Sequence, residues 1–208
     1  MPFHGFPYHS WDPHLGVDIS DNGAVVAGVE RGTAASTTAA DMRDVVVWNA
    51  GAADSQIISG PVGTVGAGAF PSLSADGRFV AFASTRNMGA GGESGAGPWV
   101  YVADRANGTR RLVSPGNGIG YQHSLSSDAS QVAFVVGVNQ RLCQFNRQTF
   151  ESVEFGCPGA RIDVAFGPSA GFTAPLSTET ISILANGAQG GTHYQPALSG
   201  NGRWVAWI

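Results

Sequence analysis

The chain has 208 residues, with 15 acidic and 11 basic side chains and a formal net charge of −4. Every basic residue is an arginine and the arginines are scattered, which excludes the clustered basic footprint of a nucleic-acid-binding surface. No run of 18 apolar residues occurs, so the sequence predicts no membrane span.

The first 15 residues precede the regular part of the sequence. Their segment, MPFHGFPYHSWDPHL, is interrupted by prolines and lacks the basic and apolar regions of a signal peptide. We therefore predict an N-terminal extension over residues 1–15, and for an exported protein we expect the signal to precede this sequence or to have been removed.

Four segments along the chain are variations on one pattern. They read VDISDNGAVVAG from Val17, PSLSADGRFVAF from Pro71, HSLSSDASQVAF from His123 and PALSGNGRWVAW from Pro196. Each predicts two short strands around a two-residue turn, in which a glycine supplies the positive φ. Ala129 replaces that glycine in the third segment, so a different or strained turn is expected there.

A second hairpin follows the first in each of the first three units. Its sequences are DVVVWNAGAADSQIIS, WVYVADRANGTRRLVS and, more loosely, RLCQFNRQTFESVEF. The unit is therefore four strands long, with the turns of successive copies about 50 residues apart. A four-stranded repeat of this length is typical of a β-propeller blade.

The interval between the third and fourth segments is too long for one blade and too short for two. We interpret RIDVAFGPSAGFTA (161–174) as an eroded fourth blade, followed by a further strand at 180–184. The sequence thus predicts an all-β fold: a β-propeller of about five four-stranded blades over residues 16–208, with the fourth eroded and the fifth incomplete. The blades are expected to start near residues 16, 70, 122, 161 and 195.

The incomplete fifth blade ends at Ile208 with two strands, which leaves its outer edge unpaired. We therefore expect either a fragment of a longer propeller or a ring completed by a partner, including self-association through the last blade.

The second unit resembles the TolB-like family of bacterial β-propeller repeats. PSLSADGRFVAFAS and VYVADRANGTRRLVS match both halves of that family's repeat, and the likeness extends more weakly over residues 16–155 and 196–208. The glycine-rich loop at 87–97 departs from the Asp/Asn-rich stretch of many relatives, which puts a calcium-binding loop in doubt. The resemblance implies a binding or scaffold module, secreted or periplasmic, with no catalytic motif.

The two cysteines and the aromatic residues support further predictions. Cys143 and Cys157 leave two hypotheses open: a disulfide across a loop of about 15 residues, or two buried thiols. The chain contains no GxSxG, P-loop, HExxH or CxxC motif, so no catalytic residue is predicted. The aromatic residues at equivalent strand positions are expected in the core between blades: Phe79, Phe82, Phe134, Trp204 and Trp207.

One constellation lies just upstream of the innermost strands, where the blades of a propeller converge around one mouth of the central channel. Its members are His14, Tyr121, Gln122, His123, His193, Tyr194 and Gln195. Amide, phenol and imidazole groups suit a carbohydrate or a polar peptide of a protein ligand. These side chains can equally plug the mouth through hydrogen bonds alone.

Two functional hypotheses follow from this constellation. The leading one is a non-enzymatic binding or scaffold propeller module of an exported bacterial protein, with a ligand or partner at the channel mouth. The alternative is a carbohydrate-active propeller, a lyase or hydrolase, since some TolB-like propellers use histidines and a glutamine at this mouth. In that alternative a divalent metal is the cofactor, and its predicted ligands are His14, His123, His193 and Gln195. Tyr194 or Tyr121 would then act as the base.

Overall fold

The computed structural model describes residues 16–31, 42–60, 66–94, 97–114, 119–137, 145–146, 151–152, 161–166, 177–182 and 195–208. These ranges contain sixteen β-strands and no helix. The all-β prediction is confirmed, and the short alternating segments of the sequence form antiparallel hairpins, as their turn residues indicate.

Three four-stranded antiparallel sheets, which we call blades 1 to 3, follow one another along the chain. Blade 1 contains β1 (Val17–Ile19), β2 (Val25–Arg31), β3 (Met42–Asn49) and β4 (Ser55–Ile57). Blade 2 contains β5 (Gly66–Leu73), β6 (Phe79–Ser84), β7 (Trp99–Asp104) and β8 (Thr109–Leu112). A short parallel pairing of β3 with β5 joins these two blades.

Blade 3 is formed by strands that are far apart in sequence. Its first two strands are β9 (Ile119–Leu125) and β10 (Gln131–Gly137), and the separate hairpin of β11 (Phe145–Asn146) and β12 (Glu151–Ser152) follows them. The sheet is then completed by β13 (Arg161–Phe166) and β14 (Ser177–Thr180). Blade 4 is described by β15 (Ala197–Leu198) and β16 (Val205–Ala206).

The pairing of β13 corrects one prediction. Its residues pair with β10 along the whole strand, from Gln131 opposite Phe166 to Val136 opposite Arg161. The segment from Arg161 is therefore the third strand of blade 3, and the prediction that an eroded blade begins near residue 161 is wrong. The hairpin of β11 and β12 accounts for much of the extra length, because it is inserted between the two halves of blade 3.

Apolar side chains form one layer at each of the first two junctions between blades. Between blades 1 and 2 the layer includes Val45, Phe82 and Tyr101. The rings of Phe82 and Tyr101 stack with their centroids 5.7 Å apart. Between blades 2 and 3 it includes Phe79 and Phe134. Since alternate residues of a strand point to opposite faces, each central blade buries both of its faces.

The core prediction is therefore confirmed for the three phenylalanines and wrong for the two tryptophans. Phe79, Phe82 and Phe134 are each at most 3% exposed, whereas Trp204 is 72% and Trp207 is 36% exposed. Blade 4 is the last blade in the described residues, so the face of Trp204 has no following blade to pack against.

A repeated hydrogen-bond network closes the first hairpin of every blade. In blade 2 the Ser74 hydroxyl donates to Asp76 Oδ1 (2.7 Å) and accepts from the Phe79 amide (3.0 Å). The Ser74 amide donates to the Phe79 carbonyl (3.0 Å), so four residues form the loop rather than the predicted two. Ala129 has φ 54°, close to Gly77 at 70°, which confirms a strained turn in blade 3.

Candidate functional site

A residue in the left-handed region lies within or just before each of the four first strands. These residues have φ values of 94° at Gly16, 55° at Phe70, 29° at Gln122 and 48° at Gln195. Only glycine adopts this conformation without strain, which is of order 1–2 kcal/mol for other residues. The strain recurs at the same position in four blades, so it belongs to the repeat and to the way each blade begins.

A bulge accompanies this left-handed residue in blade 3. Phe134 lies opposite His123, and the next residue, Val135, lies opposite Tyr121, so Gln122 is left out of the ladder. A bulge of this kind bends the strand and redirects a side chain. The Gln122 side chain is therefore available for contacts outside its own sheet.

Gln122 makes such a contact with blade 4. Its Oε1 atom accepts a hydrogen bond from the backbone amide of Gln195 at 3.1 Å. Gln122 is half-buried and Gln195 is exposed. Two of the seven predicted site residues are thus brought together: Gln122 lies at the bulge inside β9, and Gln195 lies just before β15.

The other predicted residues differ in what the structure describes of them. Tyr121 lies in β9, and nothing is described of its side chain. His14, His193 and Tyr194 lie outside the described residues, as do Cys143 and Cys157. Their roles stay predictions.

The His123 imidazole is packed between blades 2 and 3. His123 occupies the repeat position of Pro71 and Pro196, which are both buried. Its two ring nitrogens are buried and have no hydrogen-bond partner among the described residues. Burial lowers the pKa of His123 to about 4. Nearby backbone groups of Ala81 and Phe70 act to raise this pKa, but they are outweighed and form no hydrogen bond with the ring. The ring is therefore neutral at pH 7 and offers a ligand no exposed nitrogen.

One side-chain hydrogen bond recurs at the equivalent position of each junction between neighbouring blades. The Leu73 amide donates to Asp18 Oδ2 (2.6 Å), and the Leu125 amide donates to Ser72 Oγ (3.1 Å). The Leu198 amide donates to Ser124 Oγ (3.0 Å). This bond fixes blade 4 beside blade 3, and so it positions Gln195 near Gln122.

A second set of bonds runs along the opposite ends of the inner strands. The Asp21 amide donates to the Ala75 carbonyl (3.1 Å) and the Ala75 amide to the Ser127 carbonyl (2.9 Å). The Ser127 amide continues the series by donating to the Gly200 carbonyl (2.8 Å). Each blade donates to the next one, so the four blades form a single directional row.

A buried ion pair that the sequence did not predict ties blade 1 to blade 2. Arg86 Nη1 donates to Asp44 Oδ1 and to the Ser59 carbonyl (3.2 Å), and the Ser59 hydroxyl donates to the same Asp44 oxygen (3.1 Å). Arg86 and Asp44 are 5% and 6% exposed, so their charges depend on one another. This cluster belongs to the junction between the blades.

The described residues contain no group of three or more His, Cys, Asp or Glu side chains that could hold a metal. Because His14 and His193 are outside those residues, the predicted metal set stays a prediction. Within the described ranges, no helix has the length and apolar character needed to cross a membrane.

The sequence matches no protein-family profile and no curated protein. Several solved structures are similar to it in fold. The TolB-assigned protein of Agrobacterium tumefaciens aligns with 99% of the chain at 11% identity and a TM-score of 0.52. The aligned part is 61% of the length of that protein. The Cps50 (Swd1) β-propeller domain of Myceliophteria thermophila aligns with 98% of the chain at 14% identity and a TM-score of 0.51.

The chain spans only part of these proteins. It corresponds to 51% of the Swd1 structure and to 35% of TolB from Acinetobacter baumannii, with which it aligns over 90% of its residues at 15% identity and a TM-score of 0.49. Likenesses at such identities establish the fold and leave the function open. The chain therefore has a β-propeller fold similar to those of the TolB-assigned protein and Swd1.

Proposed function

We propose that this chain is a non-enzymatic binding or scaffold propeller module of an exported bacterial protein, with a protein or carbohydrate ligand at the channel mouth. The observation that carries the proposal is the hydrogen bond from the Gln195 backbone amide to the Gln122 side chain, which joins blade 4 to blade 3 at the bulge of β9. Tyr121, His14, His193 and Tyr194 are the sequence-level candidates for the rest of the site. The likeness in fold to TolB-assigned and Swd1 propellers supports a module of this kind.

The chemistry of the paired glutamines suits a neutral polar ligand. A glutamine amide offers two donors and an acceptor, and Gln122 uses only its oxygen within the described part of the chain. Gln195 is exposed, so its side chain is accessible from solvent. Sugar hydroxyls and peptide groups both pair with amides, which is the basis for the two ligand classes.

Two acidic residues of the described hairpins are held ionised by hydrogen bonds within their own turns. A hydrogen bond from Ser74 lowers the pKa of Asp76. Burial acts to raise the pKa of Asp128, but hydrogen bonds from Ser126 and Ser130 outweigh it and lower that pKa. Carboxylates held ionised by turn hydrogen bonds are poor proton donors near neutral pH.

The proposal is tested with glycan and short-peptide arrays, followed by affinity measurements on each array-positive compound. The double variant Gln122→Ala/Gln195→Ala is expected to weaken binding at least about tenfold, with little change in melting temperature. Gln56→Ala on the exposed face of β4 is the matched glutamine control and should bind as the wild type does. Equal affinity of the double variant and the control would contradict the site.

The same arrays examine the alternative function. Binding that requires added Mn²⁺, Zn²⁺ or Ca²⁺, together with cleavage of the bound glycan, would support a carbohydrate-active enzyme instead. Binding that is unchanged by EDTA, without cleavage, is the result expected for a binding module.

A further inference from the structure

The internal junctions define what one blade needs from its neighbours. Leu73 and Leu125 belong to the layers shared with the preceding blade and are 7% and 6% exposed. Phe79 belongs to the layer shared with the following blade and is 3% exposed. The apolar residue of each first strand therefore packs against the preceding blade, and the first residue of each second strand packs against the following blade.

At the two ends of the row the same repeat positions are uncovered. Ile19, equivalent to Leu73, is 58% exposed, and Val17 beside it on the same face is 62% exposed. Trp204, equivalent to Phe79, is 72% exposed. We call Val17 and Ile19 the head face and Trp204 the tail face.

The turn glycines show the same open junction at the head. A Cβ atom on Gly77 would lie 2.5 Å from Val25 Cγ2 of the preceding blade, and one on Gly202 would lie 2.4 Å from Gln131 Nε2. A Cβ atom on Gly23 would meet nothing within 4 Å. Within the described residues, the space beside Gly23 that a preceding blade fills at the internal junctions is therefore open.

The backbone groups at the two ends are complementary. Within the described chain, the Gly200 amide has no backbone acceptor and the Asp21 carbonyl has no backbone donor. These are the donor and the acceptor that would extend the directional row by one step. A tail docked on a head would thus form the same backbone bond as the internal junctions.

The side-chain hydrogen bond of the internal junctions is not required between blade 4 and blade 1. Ala197 occupies the position of Ser72 and Ser124 and offers no hydroxyl to a following blade. Ile19 does not need one, because its amide already donates to Asp18 Oδ1 (2.9 Å). A junction between blade 4 and blade 1 therefore leaves the Ile19 amide with a hydrogen-bond partner although Ala197 offers no hydroxyl.

We propose that two copies of this chain associate head to tail, with the Trp204 tail face of each copy packed on the Val17 and Ile19 head face of the other. The head and tail faces carry the complementary halves of one internal junction, so the occupant that each of them fits is a second copy of this chain. Each copy presents one head and one tail, and two such junctions close a ring without leaving a free face. This inference continues the internal blade junction and does not depend on the ligand proposed at the mouth.

The first test is the mass of the 208-residue chain in solution. Light scattering after size exclusion is expected to give twice the 21.4 kDa chain mass. Ile19→Asp and Trp204→Asp each place a charge in both junctions of the dimer, and each should weaken it at least about tenfold. Ala53→Asp adds the same charge to an exposed turn and should leave the dimer intact.

Mixing the two variants tests the head-to-tail geometry. A mixed dimer of Ile19→Asp and Trp204→Asp keeps one junction in which Trp204 meets Ile19, so dimers should reappear when the monomeric variants are combined. A monomeric wild type at about 100 μM would overturn the proposal. Dissociation by Trp204→Asp alone, or no recovery on mixing, would overturn it in favour of a symmetric tail-to-tail contact or a contact elsewhere. Circular dichroism of each variant establishes that it is folded.

Discussion

Gly77→Ala tests whether the turn of blade 2 packs against blade 1. Gly77 has φ 70°, where an alanine is strained by about 1–2 kcal/mol. The added Cβ would also lie 2.5 and 2.6 Å from Val25 Cγ2 and Cβ, and Val25 is only 6% exposed. Overpacking of this kind adds about 1–3 kcal/mol, so we expect a total loss of about 2–5 kcal/mol in the free energy of unfolding.

Gly23→Ala is the matched control when both variants are made in the Trp204→Asp background, which is expected to be monomeric, because within one copy Gly23 has φ 67° and open space around it. It carries the backbone strain alone, so its expected loss is about 1–2 kcal/mol. Urea denaturation gives the two free energies, and the difference should also lower the melting temperature of Gly77→Ala by several degrees more. Equal losses for the two variants would refute the packing of blade 2 on blade 1 through this turn.

Three further predictions concern the junctions between blades. Arg86→Ala leaves Asp44 buried without its cation, so the free energy of unfolding measured by urea denaturation should fall by about 3–5 kcal/mol. The control is Arg78→Ala, whose side chain is 47% exposed and whose loss should be far smaller. Similar losses for the two variants would contradict the burial of the Arg86–Asp44 pair. Because His123 has a pKa of about 4 when folded and about 6.5 when unfolded, the unfolded state binds its proton first, so stability should fall by up to about 3 kcal/mol from pH 6.5 to pH 4. His123→Leu should lack this part of the pH dependence, and an unchanged pH profile would argue against the buried ring. Ser72→Ala removes the acceptor of one junction and should cost about 1 kcal/mol in chemical denaturation; no loss would show that this bond contributes nothing.

The strands of the repeat could be predicted from the sequence because their information is local. The alternation around Asp76 and Gly77 specifies a hairpin wherever it occurs. The partner of a strand is not local information. The alternating run at 161–166 looks like the start of a blade, but it pairs with a strand that precedes it by about 30 residues. Exposure of Trp204 could not be predicted either, because it depends on which blade lies next to it.

The candidate site was only partly predictable for a similar reason. The columns of the repeat indicated Gln122 and Gln195, since equivalent residues of a propeller converge at one mouth. The left-handed backbone was not visible in the sequence, because Gly16, Phe70, Gln122 and Gln195 share no residue type that favours it. His123 has the residue type of a ligand, but its position in the repeat is a packing position, as the buried prolines there show.

The most direct test of the proposed function is the affinity of an array-positive glycan or peptide for the Gln122→Ala/Gln195→Ala variant, measured by calorimetry against the wild type and Gln56→Ala. Binding at the mouth predicts that the double variant loses at least about tenfold in affinity with little change in melting temperature. The control is expected to keep the wild-type affinity. Arrays without a binder, or an affinity that the double variant retains in full, would contradict a binding site at this mouth.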